Sequence, residues 1–166
     1  MGDGELLDSL ARCVAAEGQS PERPATADQL AAAERDIGFA LPSLLRAVLT
    51  RVGNGGFGPG YSLLGTGGGA TDDRDETADR WYLSRRRLGP DDGGWEWPER
   101  LYPLCHWGCA IYSCVDCSRP ELPVMRFDPN QYSGEGSYQQ CLGPEGYTLR
   151  EWLASWAGGV NLWGYA

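Results

Sequence analysis

A chain of 166 residues, 42% of them hydrophobic, is long enough to bury one core of ordinary size without covalent staples, so one domain over 1–166 is expected. The formal charge is −9 and all 14 basic residues are arginine, which removes lysine Schiff bases, the P-loop lysine and lysine general bases. Such an acidic surface disfavours nucleic acid, whose affinity comes from neutralised phosphates, and steers a basic protein partner toward it instead. No apolar run approaches the ~18 residues of a membrane span. The opening Met1-Gly2-Asp3-Gly4-Glu5 is acidic where a secretory leader is basic, so a cytoplasmic location with reduced cysteines is the expectation.

Taken in order, Glu5 to Glu17 reads as a helix with Leu6, Leu10, Cys13 and Val14 inward and Gly18 ending it. Pro21 and Pro24 mark a connector that closes residues 1–25. Thr26 and Gln29 have the spacing of a capping box, opening a helix that carries Leu30, Ala33 and Ile37 and stops near Gly38. Pro42 then starts a third helix with Leu45, Val48, Leu49 and Val52 on one face, Gly53 as its left-handed terminus and Asn54-Gly55-Gly56 as a turn. Tyr61 to Leu64 fits a short strand, and Gly65-Thr66-Gly67-Gly68-Gly69 reads as a flexible run. Acids first and arginines last predict a helix over Asp73 to Arg87 that complements the helix dipole. Leu101 to Leu104, Ala110 to Val115 and Val124 to Phe127 are strands, and Asn130 to Gly146 is loop with room for one edge strand. Thr148 and Glu151 give a second capping box before a helix with Leu149, Trp152, Leu153 and Trp156 inward. The fold class is α+β, with N-terminal helices, a central antiparallel-rich sheet and a C-terminal helix.

Three arrangements invite chemistry. Cys105, Cys109, Cys114 and Cys117, with His106 alongside, have zinc-ligand character. The competing and favoured reading is buried thiols in a strand-rich core, so no metal is assigned. Gly65 to Ala70 matches G-x-G-x-x-A, but the preceding strand is short, and acids at the following helix start would repel a pyrophosphate. No cofactor is assigned. His106 is the sole histidine; Cys105 beside it on a strand points to the opposite face, so the two form no nucleophile–base pair and no catalytic residue is assigned.

The order of three stretches is informative. A helix ending near Gly38 leads to Leu41-Pro42, an amphipathic helix and Asn54-Gly55-Gly56. Trp97-Pro98 precedes Leu101-Tyr102-Pro103-Leu104 and Trp107-Gly108-Cys109-Ala110-Ile111-Tyr112, and Asp116, Pro123-Val124 and Asp128 follow. In these the chain resembles the SUKH superfamily of bacterial immunity proteins and the yeast cell-wall assembly regulator, over a core of residues 26–128 with 129–166 as loop and C-terminal helix. The resemblance implies a non-enzymatic protein that binds and neutralises a cognate toxin, often a nuclease. A regulatory module with an endogenous partner is the alternative it leaves open, and a zinc-binding domain is a third. No toxin-binding residue transfers from the family. From the residues themselves, the acidic Asp72, Asp73, Asp75, Glu76 and Asp79, with Asp91, Asp92 and Glu96, form the candidate contact surface, and Trp95 and Trp97 are candidate aromatic anchors beside them.

Overall fold

The fold comes from a computed structural model that describes residues 1–164. Helices α1 (Asp3–Ala16), α2 (Ala27–Ile37), α3 (Ser43–Arg51) and α4 (Ala78–Arg87) precede strands β1 (Leu101–His106), β2 (Tyr112–Asp116), β3 (Pro123–Phe127) and β4 (Leu142–Thr148), and α5 (Leu149–Ala157) closes the chain. The strands pair antiparallel in the order β1-β2-β3-β4. This is the α+β class expected from the sequence.

Both capping boxes form: Thr26 and Gln29 exchange bonds of 2.8 and 3.1 Å, and Thr148 does the same with Glu151. Each satisfies two backbone donors that the helix start leaves unpaired. The periodic apolar residues fall where their spacing placed them, with Leu6, Leu10, Leu30, Val48, Leu49, Trp152 and Leu153 essentially inaccessible. Register then divides the sheet. Tyr112 pairs with His106 and Phe127, and Trp81 of α4 packs on Tyr112, so α4 covers that face. Ser113 pairs with Cys105 and Arg126; its hydroxyl meets Glu145, which in turn holds the indole N–H of Trp152, so α5 covers the other face.

Several boundaries differ from expectation, each for a local reason. Pro42 is the N-cap of α3 rather than its first helical residue, and Gly53 is not left-handed. Gly53 is required by proximity: a Cβ there would lie 2.5 Å from Pro21 Cβ. α4 begins at Ala78 instead of Asp73, because Asp72 folds the preceding residues into a turn and Asp75 sits at φ +60°. Tyr61 to Leu64 contributes one isolated bridge, Leu63 to Cys105, yet it runs along the open edge of β1 through bonds from Tyr61 N, His106 N and Leu64 N. β2 starts at Tyr112, since Cys109 and Ala110 both take positive φ in the hairpin. β4 fills the edge position of the sheet, where a Pro144 is tolerated.

The largest correction concerns the glycine run. It packs tightly against Asn54 rather than hanging free. Asn54 is buried, its Oδ1 accepts from Thr66 N at 2.8 Å, its Nδ2 donates to Thr66 O at 3.2 Å, and its carbonyl accepts from Ala70 N. A Cβ on Gly69 would fall 2.2 Å from Asn54 O, and one on Gly67 2.5 Å from Gln29 O. The glycines are there because backbone meets backbone.

Candidate functional site

The acidic residues singled out in the sequence divide into two groups. Asp72 and Asp79 are buried and serve the backbone. Asp72 Oδ1 accepts from Arg74 N (2.9 Å) and Glu76 N (3.0 Å), an Asx-type turn, while Oδ2 accepts from the buried Tyr112 hydroxyl at 2.6 Å. Burial pushes the Tyr112 phenol up, and its bond to Asp72 adds to the shift. Asp79 Oδ1 accepts from Gly67 N and Thr77 Oγ1, tying the start of α4 to the glycine loop.

Asp91 is also committed to the backbone. It accepts from Gly93 N and Trp95 N at 3.0 Å and from Tyr138 N at 2.8 Å. Desolvation works against its ionisation, but the N–H groups of Tyr138, Trp95, Gly93 and Gly94 outweigh it and hold the carboxyl below its ordinary value. The second group faces solvent: Asp73, Asp75, Asp92 and Glu96 are exposed and Glu76 is partly so. Glu96 lies 3.7 Å from Arg86, a surface ion pair of at most about 1 kcal/mol. Glu76 accepts from Ser84 Oγ.

Arg74, within the first acidic stretch, and Asp91, in the second, both line one groove of about 500 Å³. Arg74 enters it from between Asp73 and Asp75, and Asp91 and Trp95 from the other side. Its floor is aromatic: Trp97 and Phe127 meet edge to face at 5.1 Å and Trp95 stacks on Phe127 at 6.5 Å. Trp97 is buried and Trp95 half-buried, so Trp95 is the indole a partner can touch. The Arg85 guanidinium sits 4.8 Å over Trp81 and 5.8 Å from Phe127. Sequence reasoning missed Arg74, Arg85, Phe127 and Tyr138. The spacing of Trp81 and Arg85, one helical turn apart, is the signal that held part of it.

The four cysteines do not converge. Cys105 and Cys114 are buried, Cys117 is half-buried and Cys109 is exposed at the hairpin tip. Among the described residues no group of three or more His, Cys, Asp or Glu side chains is placed to hold a metal ion. Burial raises the Cys105 and Cys114 thiols well above their ordinary value and the Cys117 thiol to about 12, the opposite of what an activated thiolate needs. His106 is buried; its ring lies against Tyr61 and Tyr112, and Nε2 stands 3.5 Å from Asp73 Oδ1 without a hydrogen bond among the described residues. No helix among the described residues is long and apolar enough to cross a membrane.

Comparison with known proteins adds one finding. No curated protein and no solved structure matches the chain. The family described as SMI1 / KNR4 family (SUKH-1) matches residues 24–155, from the connector before α2 to the middle of α5. That span contains the Asn54 turn, the whole sheet and the groove, so the chain belongs to the SMI1/KNR4 (SUKH-1) family.

Proposed function

We propose that this protein is a non-enzymatic immunity protein that binds a cognate bacterial toxin, a nuclease or another basic polymorphic-toxin domain, and neutralises it by covering its active site. The observation that supports the reading, beyond the family, is an aromatic groove whose lining residues Arg74, Asp91 and Trp95 are flanked in sequence by the exposed carboxylates Asp73, Asp75, Asp92 and Glu96. Complementary charge gives fast encounter and register, and a half-buried tryptophan supplies the kind of anchor on which binding energy concentrates.

The test is co-expression with the toxin encoded beside the gene in a sensitive host. Survival with the wild-type protein, recovery of a stable complex on purification, and loss of both on replacing Asp73, Asp92 and Glu96 by lysine support the proposal. A neighbour whose toxicity is unchanged by this protein, with no complex recovered, would falsify it for that pair.

A further inference from the structure

The protein carries an excess of nine negative charges, yet the groove is lined by two arginines, Arg74 and Arg85, that have no carboxylate within ion-pair distance among the described residues. Among the described residues five arginines have a carboxylate within 4 Å: Arg46 with Glu34, Arg86 with Glu96 and Glu99, Arg119 with Glu121, Arg126 with Glu145, and Arg150 with Asp3. Arg74 and Arg85 have none, and neither guanidinium makes a hydrogen bond among those residues. What sets them apart from the remaining arginines is their place in the groove. Asp91, the carboxylate lining the groove, spends both oxygens on backbone N–H groups. Glu76 attracts Arg85 from beyond ion-pair distance.

Arg85 is also half-buried between aromatic rings. Burial lowers its pKa, and repulsion from Arg74 lowers it further, against the attraction of Tyr112 and Glu76. A guanidinium half-buried on aromatic rings with a like charge near it is a costly arrangement in the free protein, and an incoming anion relieves it.

From this groove the geometry points to an acidic, apolar peptide segment of the partner protein as its occupant: a carboxylate reaching Arg85 and Arg74, flanked by aliphatic or aromatic side chains. The apolar rim decides between a peptide and a small free anion. Leu88 is 73% exposed and Tyr138 38% exposed, and Pro90 and Pro129 continue the lining beyond the guanidiniums. A free phosphate or carboxylate would leave that surface wet, whereas alternating acidic and apolar side chains cover both parts. The partner would then present a basic field to Asp73, Asp75, Asp92 and Glu96, with one acidic plug for the arginines. Such mixed charge enforces register, because a uniformly basic competitor meets two unpaired guanidiniums.

This inference rests on the reading that the protein binds another protein, and the test is built to fail separately from it. A fluorescein-labelled, C-amidated octapeptide of alternating Asp and Leu is titrated against the full chain by anisotropy, beside the same peptide with Asn for Asp. The rest of the surface repels an acidic peptide, so binding reports the groove. Expected are saturable binding of the Asp peptide, at least tenfold weaker binding of the Asn peptide, and at least a fivefold loss in Arg74→Ala, whose exposed side chain can be removed with Tm unchanged. Arg85→Gln should lose at least as much; if it misfolds, Arg74→Ala carries the test. Equal affinity for the two peptides, wild-type affinity in Arg74→Ala, or displacement of nothing while inorganic phosphate alone binds in an Arg74-dependent way would each overturn the proposal. No toxin enters the assay, so its failure leaves the co-expression result standing, and the reverse is equally true.

Discussion

Asp72 and Asp73 are adjacent carboxylates with opposite assignments, and separating them tests the division of the acidic stretch. Asp72→Ala removes three hydrogen bonds, from Tyr112 Oη (2.6 Å), Arg74 N (2.9 Å) and Glu76 N (3.0 Å). The Arg74 and Glu76 amides lie near solvent and find water, but Tyr112 is 1% exposed and its hydroxyl is left with a desolvation penalty of about 1–3 kcal/mol. Loss of the Asx turn adds about 1 kcal/mol, so the change should cost roughly 2–4 kcal/mol in total. For a chain of this size each kcal/mol moves Tm by about 2–4 °C, giving a fall on the order of 10 °C. Asp72→Asn keeps an acceptor for the two amides and should cost about half as much. Asp73→Lys loses only the 3.5 Å approach to His106, about 0–1 kcal/mol at an exposed site. Asp75 stands at φ +60°, where asparagine is tolerated better than lysine, so Asp75→Asn is the proper neutralising change there. Urea unfolding followed by tryptophan fluorescence reads all four. A result in which Asp72→Ala stays within 0.5 kcal/mol of wild type, or in which Asp73→Lys loses as much as Asp72→Ala, refutes the division.

Native-state labelling with a maleimide, located by mass spectrometry, should modify Cys109 first and reach Cys105 and Cys114 only on unfolding, since the first is exposed and the others are buried with raised pKa. Glu145→Ala leaves the buried Arg126 guanidinium without its 2.9 Å partner and should cost about 3–5 kcal/mol, visible in the same urea titration. Stability should be flat from neutral pH up to the ordinary thiol and phenol values of 9.0 and 10.0, then fall as pH rises. Above those values the unfolded chain has released the protons of Cys105, Cys114, Tyr102 and Tyr112 while the folded chain, with all four pKa values raised, keeps them; urea midpoints at pH 7, 9 and 10.5 show the slope. In the β1–β2 hairpin, Cys109 and Ala110 both hold positive φ (51° and 61°), so Cys109→Asn with Ala110→Gly should raise stability by about 1 kcal/mol, measured as a higher thermal midpoint.

The helices were legible because their signals are local. Thr26 with Gln29 and Thr148 with Glu151 announce their ends three residues in advance, and the spacing of Leu45, Val48 and Leu49 needs no distant partner to be read. β4 was harder, since Leu142 to Thr148 contains two glycines and a proline and owes its strand state to pairing with β3. The glycine run looked flexible for the same reason: what makes each residue glycine is Asn54, Gln29 or a neighbouring carbonyl, contacts that close only in the fold. Asp72 illustrates the limit for the site. Its sequence neighbours are acids, and only the Tyr112 hydroxyl, 40 residues away, separates it from them.

Several of the arginines make contacts that suit a guanidinium rather than an ammonium. Arg126 donates to Glu145, Leu162 O and Trp163 O while its guanidinium lies 4.9 Å from the Trp107 ring and 5.2 Å from Trp163. Arg86 spans the Trp97 carbonyl, Glu96 and Glu99, and Arg100 lies over Phe39 at 6.0 Å. Arg86 forks, Arg100 stacks and Arg126 does both at once, which a flat guanidinium can do and an ammonium cannot. Arg85 has the stack, over Trp81 and Phe127, and lacks the fork. At Arg126 the same aromatic setting comes with a carboxylate and two carbonyls. The half that is missing at Arg85 is what the proposed carboxylate from another chain would supply.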